Sequence, residues 1–135
     1  MKKIIIAGLV AGVVLLLLSL LGLYATIWVF PRIAMEYFNS SFDTQADRVM
    51  IYYLHPFIIS MALSCFWSRF KGVLSGSFLT RCIEFGVIYA VIAILPMMWL
   101  IYSAMNISLP MVATWSLLGL LQGVLSGFIF EKMNP

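Results

Sequence analysis

The chain has 135 residues, of which 64% are hydrophobic and 10% charged, with a formal net charge of +3. Soluble domains carry about 45–50% apolar and about 25% charged residues, so this composition excludes a water-soluble globule and a disordered chain alike. The length allows one domain, the composition marks an integral membrane protein, and no basic run interleaved with aromatics offers a nucleic-acid surface.

A charge near the bilayer centre is costly, so charge-free runs mark the predicted spans. The first runs for 28 residues from Ile4 to Pro31, between Lys3 and Arg32, and predicts a helix over about 4–30. Its apolar stretch far exceeds the roughly 7–15 residues of a signal-peptide core, and the Gly22-Leu23-Tyr24-Ala25-Thr26 region lacks a small-x-small cleavage site, so an uncleaved anchor is expected. Tyr24 and Trp28 fit an interfacial aromatic belt. Gly8 and Gly12, flanked by Ala7 and Ala11, predict a close-packing face.

The loop 31–48 leans acidic, with Glu36, Asp43 and Asp47. Ile33, Tyr37 and Phe38 among Arg32, Glu36 and Asn39 predict a short helix lying in the interface. Thr44 followed by Asp47 resembles a capping box at the start of the next helix. Asn39-Ser40-Ser41 is a formal glycosylation sequon, as is Asn106-Ile107-Ser108.

The second span is expected over 49–68, bounded by Arg48 and Arg69, followed by an inner loop at 69–84. Near its outer end stands His55, the one histidine of the chain. It is a candidate to bind a quinone or haem or to relay protons, against the plainer role of a hydrogen-bonded interfacial side chain. A single histidine cannot supply bis-histidine haem ligation within one chain, and no cysteine or carboxylate cluster accompanies it.

The next charge-free run is 46 residues, Phe85 to Phe130. As one helix it would be about 69 Å long, twice the roughly 30 Å hydrocarbon core, so it must turn. The turn is expected at Asn106-Ile107-Ser108-Leu109-Pro110, where Ser108 caps a helix whose first turn accepts Pro110. That gives spans at about 85–105 and 110–130. Arg81 and Glu84, three apart, are expected to pair at the head of the third span, with Glu84 as the most membrane-embedded acid and a candidate coupling carboxylate. Pro96 predicts a kink that frees the carbonyl of Ile92. The fourth span carries Gly119, Gly123 and Gly127 on one narrow face, which predicts close packing, most naturally against Gly8 and Gly12 of the first. Gln122 beside them is positioned to hydrogen-bond across a helix pair.

The expected architecture is all-α: a polytopic four-helix transmembrane bundle in a single domain, 1–135. Six of the eight basic residues (Lys2, Lys3, Arg69, Lys71, Arg81 and Lys132) fall at the termini and the second loop, which predicts both termini in the cytoplasm. Cys65 and Cys82 would then face a reducing compartment as free thiols.

No Ser/His/Asp arrangement, phosphate loop or metal motif is present. The opening Ile6-Ala7-Gly8-Leu9-Val10-Ala11-Gly12-Val13-Val14, after two lysines, resembles the start of small uncharacterised four-helix bacterial inner-membrane proteins. That resemblance implies fold and location only. The chain is therefore expected to be a non-enzymatic accessory or assembly subunit of the inner membrane, without a cofactor. Its partners would be the lipid bilayer and either further copies of itself or a membrane complex. The rival expectation is a small transporter or channel using Glu84 and Gln122; a quinone- or haem-linked protein acting through His55 stands third.

Overall fold

The computed structural model describes residues 1–37 and 49–135. The predicted Thr44–Asp47 capping start, Phe38 and the Asn39 sequon lie outside them. Among the described residues there is no strand, and four helical segments are long and apolar enough to cross a membrane.

Helix α1 runs Lys2–Val29. It stops because Pro31 follows: the residue before a proline is pushed out of the helical region, and Phe30 sits at φ −126°, ψ 64°. Its N–H still reaches the carbonyl of Thr26, and Pro31 opens the short α2, Pro31–Glu36. Helix α3 spans Val49–Phe70. A turn follows in which Gly76 adopts φ +104°, a conformation that a Cβ would strain. Ser77 then caps α4, Phe78–Tyr89, accepting from the N–H of Thr80 at 3.4 Å.

Helix α4 passes through a π turn, Ala90–Ile94, into α5, Leu95–Ala104, which together make one 27-residue span, Phe78–Ala104. Pro96 explains the π turn. It has no N–H, and its ring presses on the carbonyl four residues back, that of Ile92. Widening the helix by one residue relieves this, and the N–H of Leu95 donates to Ala90, five residues earlier. The disturbance expected at Pro96 thus includes an extra residue accommodated in this wide turn. The hairpin at 105–108 leads to α6, Leu109–Met133, capped by Ser108, whose hydroxyl accepts from Met111 N–H at 3.3 Å.

These helices extend beyond the charge-free runs. Lys2, Lys3, Arg69, Arg81, Glu84, Glu131 and Lys132 all lie inside helices, so the turn between the second and third spans is shorter than 69–84. Long basic side chains at helix ends reach outward to the water boundary, so they need not terminate the helix.

The bundle is built of two close pairs, α1 with α3 and α4 with α6, joined where α1 lies along α6. Both termini and the 71–77 turn share one end. There Ala7, Ala11, Leu63, Trp67, Leu74, Phe85 and Phe130 form the larger buried cluster. Trp67 and Phe85 meet edge to face at 5.1 Å, and Phe85 and Phe130 at 6.1 Å. The opposite end has a smaller cluster of Ile107, Met111 and Val112, against which Ile33 and Tyr37 pack. Helix α5 buries none of its residues, and large apolar side chains such as Leu17, Ile58, Ile92 and Trp99 face outward. An outer surface of that kind suits hydrocarbon rather than water.

The glycine faces do not meet each other as expected. A Cβ on Gly8 would strike Met61 and one on Gly12 would strike Phe57, both on α3. On Gly119, Gly123 and Gly127 it would strike Ile94, Tyr89 with Gly86, and Cys82 respectively. The fourth span therefore packs its glycines on the third span, not the first. The reason is a matching gap on the third span: Gly123 is approached by the Gly86 backbone, and Gly86 by the side chain and backbone of Val124, the residue after Gly123. The first span instead meets α6 through bulkier contacts such as Gly22 against Leu118.

Candidate functional site

The polar side chains of the described residues fall into three zones. At the termini end, Arg81 from α4 donates through Nη1 to Oε1 of Glu131 on α6 at 2.6 Å. This corrects the expected Arg81–Glu84 pairing. Helices α4 and α6 are antiparallel, so Arg81 near the start of one stands at the depth of Glu131 near the end of the other, and a partner across the seam replaces one along the helix. The Arg81 guanidinium also lies 5.8 Å from the centre of the Trp67 ring, and its Nη2 donates to the carbonyl of Lys71 at 3.3 Å. The Trp67 indole donates to the carbonyl of Asn134 at 2.9 Å, and the Lys71 ammonium donates to the Asn134 side-chain oxygen at 3.1 Å and to the carbonyl of Pro135.

Glu131 is 9% exposed and the Arg81 side chain 22%, so Glu131, not Glu84, is the most enclosed acid described. The pairing is incomplete. Arg81 Nε and Glu131 Oε2 are buried without a protein partner, as is the Ser126 hydroxyl. Removing one member of a buried pair leaves the other charge uncompensated, which makes this pair a strong constraint on how α4 and α6 register.

In the middle of the bundle, Gln122 is buried and donates from Nε2 to the Ser19 hydroxyl at 3.1 Å, which itself donates to the carbonyl of Leu15 at 2.8 Å. Gln122 thus joins α6 to α1. Ser64 of α3 donates to the carbonyl of Ile4 at 2.7 Å, joining α3 to α1.

At the far end, the Glu36 carboxylate accepts from the Ser108 N–H at 3.0 Å, and the Trp115 indole donates to the Tyr37 hydroxyl at 2.6 Å. These bonds dock the α2 segment onto the hairpin between the third and fourth spans.

The remaining candidates stand apart. His55 is exposed on α3. Glu84 is half-buried on the exposed side of α4, in an open depression of about 510 Å³ lined with Ser75, Thr80, Ile83 and Val87. Neither is brought toward the other: each lies near the start of its own helix, and α4 starts at the end of the bundle where α3 finishes, so the two stand at different depths. Cys65 is exposed and Cys82 buried, both as free thiols. Among the described residues no three His, Cys, Asp or Glu side chains gather in a way that could hold a metal ion.

Sequence reasoning did not single out Glu131, which directly follows the last charge-free run. A signal was present: Gly119, Gly123, Gly127 and Glu131 are spaced four apart, so the carboxylate continues the close-packing face. Trp67 and the Tyr37–Trp115 pair gave no comparable pattern.

Comparison with known proteins finds no family model, no curated protein and no solved structure that matches the chain.

Proposed function

We propose that the chain is a non-enzymatic integral membrane protein of the bacterial inner membrane, with both termini in the cytoplasm, acting as an accessory or assembly subunit. The observation that carries this reading is how the polar groups are used. Arg81–Glu131, Gln122–Ser19, Ser64–Ile4, Trp67–Asn134 and Glu36–Ser108 each tie one segment to another, and they are spread over the length of the bundle instead of converging on one cavity. A catalytic constellation needs convergence. Purification in a mild detergent, with mass analysis of co-purifying proteins, tests it. A stoichiometric membrane partner or a defined homo-oligomer is expected; a monomer that turns over a substrate would overturn the proposal. Reporter fusions after Pro135 and in the 31–48 loop test the orientation, and a reporter active only outside the cytoplasm at Pro135 would reverse it.

A second reading is a small transporter or channel, and the enclosed Arg81–Glu131 pair favours it, because ionisable groups inside a span are costly and tend to be functional. It moves the coupling role from Glu84 and Gln122 to Glu131. Ion and proton flux into proteoliposomes, compared between the native chain and Glu131→Gln, decides between the two: flux abolished by that isosteric change would establish the transporter.

A further inference from the structure

Glu84 has an unusual setting that the bundle does not use. Its neighbour Arg81 turns inward to Glu131, and among the described residues Glu84 makes no ion pair. It does so at an end of the bundle where Lys2, Lys3, Arg69 and Lys132 are all exposed. It lies six residues into a membrane-length helix, about 9 Å along its axis, close to the boundary between headgroups and acyl chains. A carboxylate at that depth is costly unless something of opposite charge meets it.

The surroundings are amphiphilic in a definite order. Thr80, Ile83, Glu84 and Val87 share one face of α4, as the i, i+3, i+4, i+7 spacing requires. Ser75 lies in the turn ahead of α4, Thr80 in the first turn of α4 with its hydroxyl hydrogen-bonded to that of Ser77 at 2.9 Å, Glu84 one turn further on, and Ile83 and Val87 supply the apolar part of the lining. Val91, 55% exposed, lies four residues beyond Val87, within the π turn. A polar rim, one negative charge and an apolar track in sequence fit a molecule with a cationic head and a hydrocarbon tail. The surrounding leaflet supplies such a molecule.

We propose that this depression binds an aminophospholipid of the surrounding leaflet: Glu84 accepts from the primary ammonium of an ethanolamine headgroup, Ser75 and Thr80 face its polar portion, and one acyl chain lies along Ile83, Val87 and Val91. A glycerol-type anionic headgroup would be repelled by Glu84. A choline headgroup brings positive charge but no N–H to donate, and forgoes the charge-assisted hydrogen bond. The assignment rests on the reading that the chain spans a bilayer.

The test is native mass spectrometry of the purified full chain in mild detergent, titrated with phosphatidylethanolamine, phosphatidylcholine and phosphatidylglycerol of identical acyl chains. The ethanolamine lipid is expected to bind about tenfold more tightly than the other two, the value of one net charge-assisted hydrogen bond. Glu84→Gln should erase that preference while leaving the melting temperature in place. Val87→Trp should fill the apolar wall and weaken all three lipids together. Equal retention of the three headgroups by the native chain, or an ethanolamine preference that survives Glu84→Gln, would overturn the site. Displacement of the lipid by soluble phosphoethanolamine would show a water-soluble amine as the ligand and equally overturn it. Failure of the membrane reading itself would be seen earlier and separately, as a chain that fractionates away from membranes and stays dispersed without detergent.

Discussion

The two helix pairs of the bundle both use glycine, but in physically different ways. Between α4 and α6 backbone meets backbone: a Cβ on Gly86 would fall 2.7 Å from the Val124 nitrogen, one on Gly123 2.9 Å from the Gly86 Cα, and one on Gly127 3.0 Å from the Cys82 carbonyl. Between α1 and α3 the glycines receive side-chain ends instead: the nearest atom to a Cβ on Gly8 is the Met61 sulfur at 2.5 Å, and on Gly12 a ring carbon of Phe57 at 2.5 Å. Distances of the same size thus conceal opposite tolerances. A thioether or a ring can swing aside, whereas a backbone moves only if the whole helix moves. Between apolar helices held together by close packing, the α4–α6 seam is therefore the less tolerant of an added side chain.

The largest effect is expected where that seam is forced open. Gly123→Leu should separate α4 from α6 and cost roughly 3 kcal/mol, the upper range for overpacking, with Gly86→Ala close behind. Thermal unfolding in detergent should report both as a lowered midpoint. An unchanged midpoint would mean the seam is looser than its backbone distances imply.

Next comes the ion pair that closes the same seam at the termini end. Glu131→Ala should leave Arg81 enclosed and unpaired, at a cost of about 2–4 kcal/mol, discounted from the usual range because Arg81 keeps some exposure. The double replacement Arg81→Leu with Glu131→Leu should recover most of that loss. A double-mutant cycle checks this, and additive single effects would show that the two groups do not act as a pair.

On the α1–α3 side, Gly8→Ala should change stability by less than about 1 kcal/mol, because displacement of Met61 is offset by the better helix propensity of alanine. A loss as large as that of Gly86→Ala would erase the contrast between the seams. The smallest effect belongs to Gly72, which has nothing within 4 Å of an added Cβ. Gly72→Ala is expected to stay within about 0.5 kcal/mol, and it serves as the baseline for the series.

What the sequence makes legible follows from which interactions are local. Charge-free runs locate four apolar helices because desolvating a charge outweighs local propensity. Ser108 with Pro110 marks a helix start because both act within one turn. The stripe Gly119, Gly123 and Gly127 announces close approach but not the neighbour, since a bare glycine face accepts any backbone; Gly86 on α4 was the matching feature. Arg81 is the sharpest case. Glu84 lies at a favourable local spacing, yet the pair forms with Glu131, fifty residues away. That choice depends on the antiparallel register of α4 and α6, a tertiary quantity that spacing along one helix does not contain. The docking of α2 through Glu36 and Tyr37 was hidden for the same reason.

The π turn at Ala90–Ile94 divides the third span into halves with separate orientations. One surplus residue rotates everything after it by about 100° relative to an uninterrupted α-helix. The half before the turn presents Cys82, Phe85 and Gly86 to the interior, while the half after it buries nothing. The turn therefore works as a stored insertion: the face that Met97–Ala104 turns outward is set independently of the face that α4 shows to α6. Deleting a single residue between Ala90 and Ile94, together with Pro96→Ala, would restore a continuous α-helix without changing the order of any contact on the α4 side. Sequence length and helix phase are decoupled at this point of the third span. The outward half of the span is thus free to vary while the glycine seam remains in register.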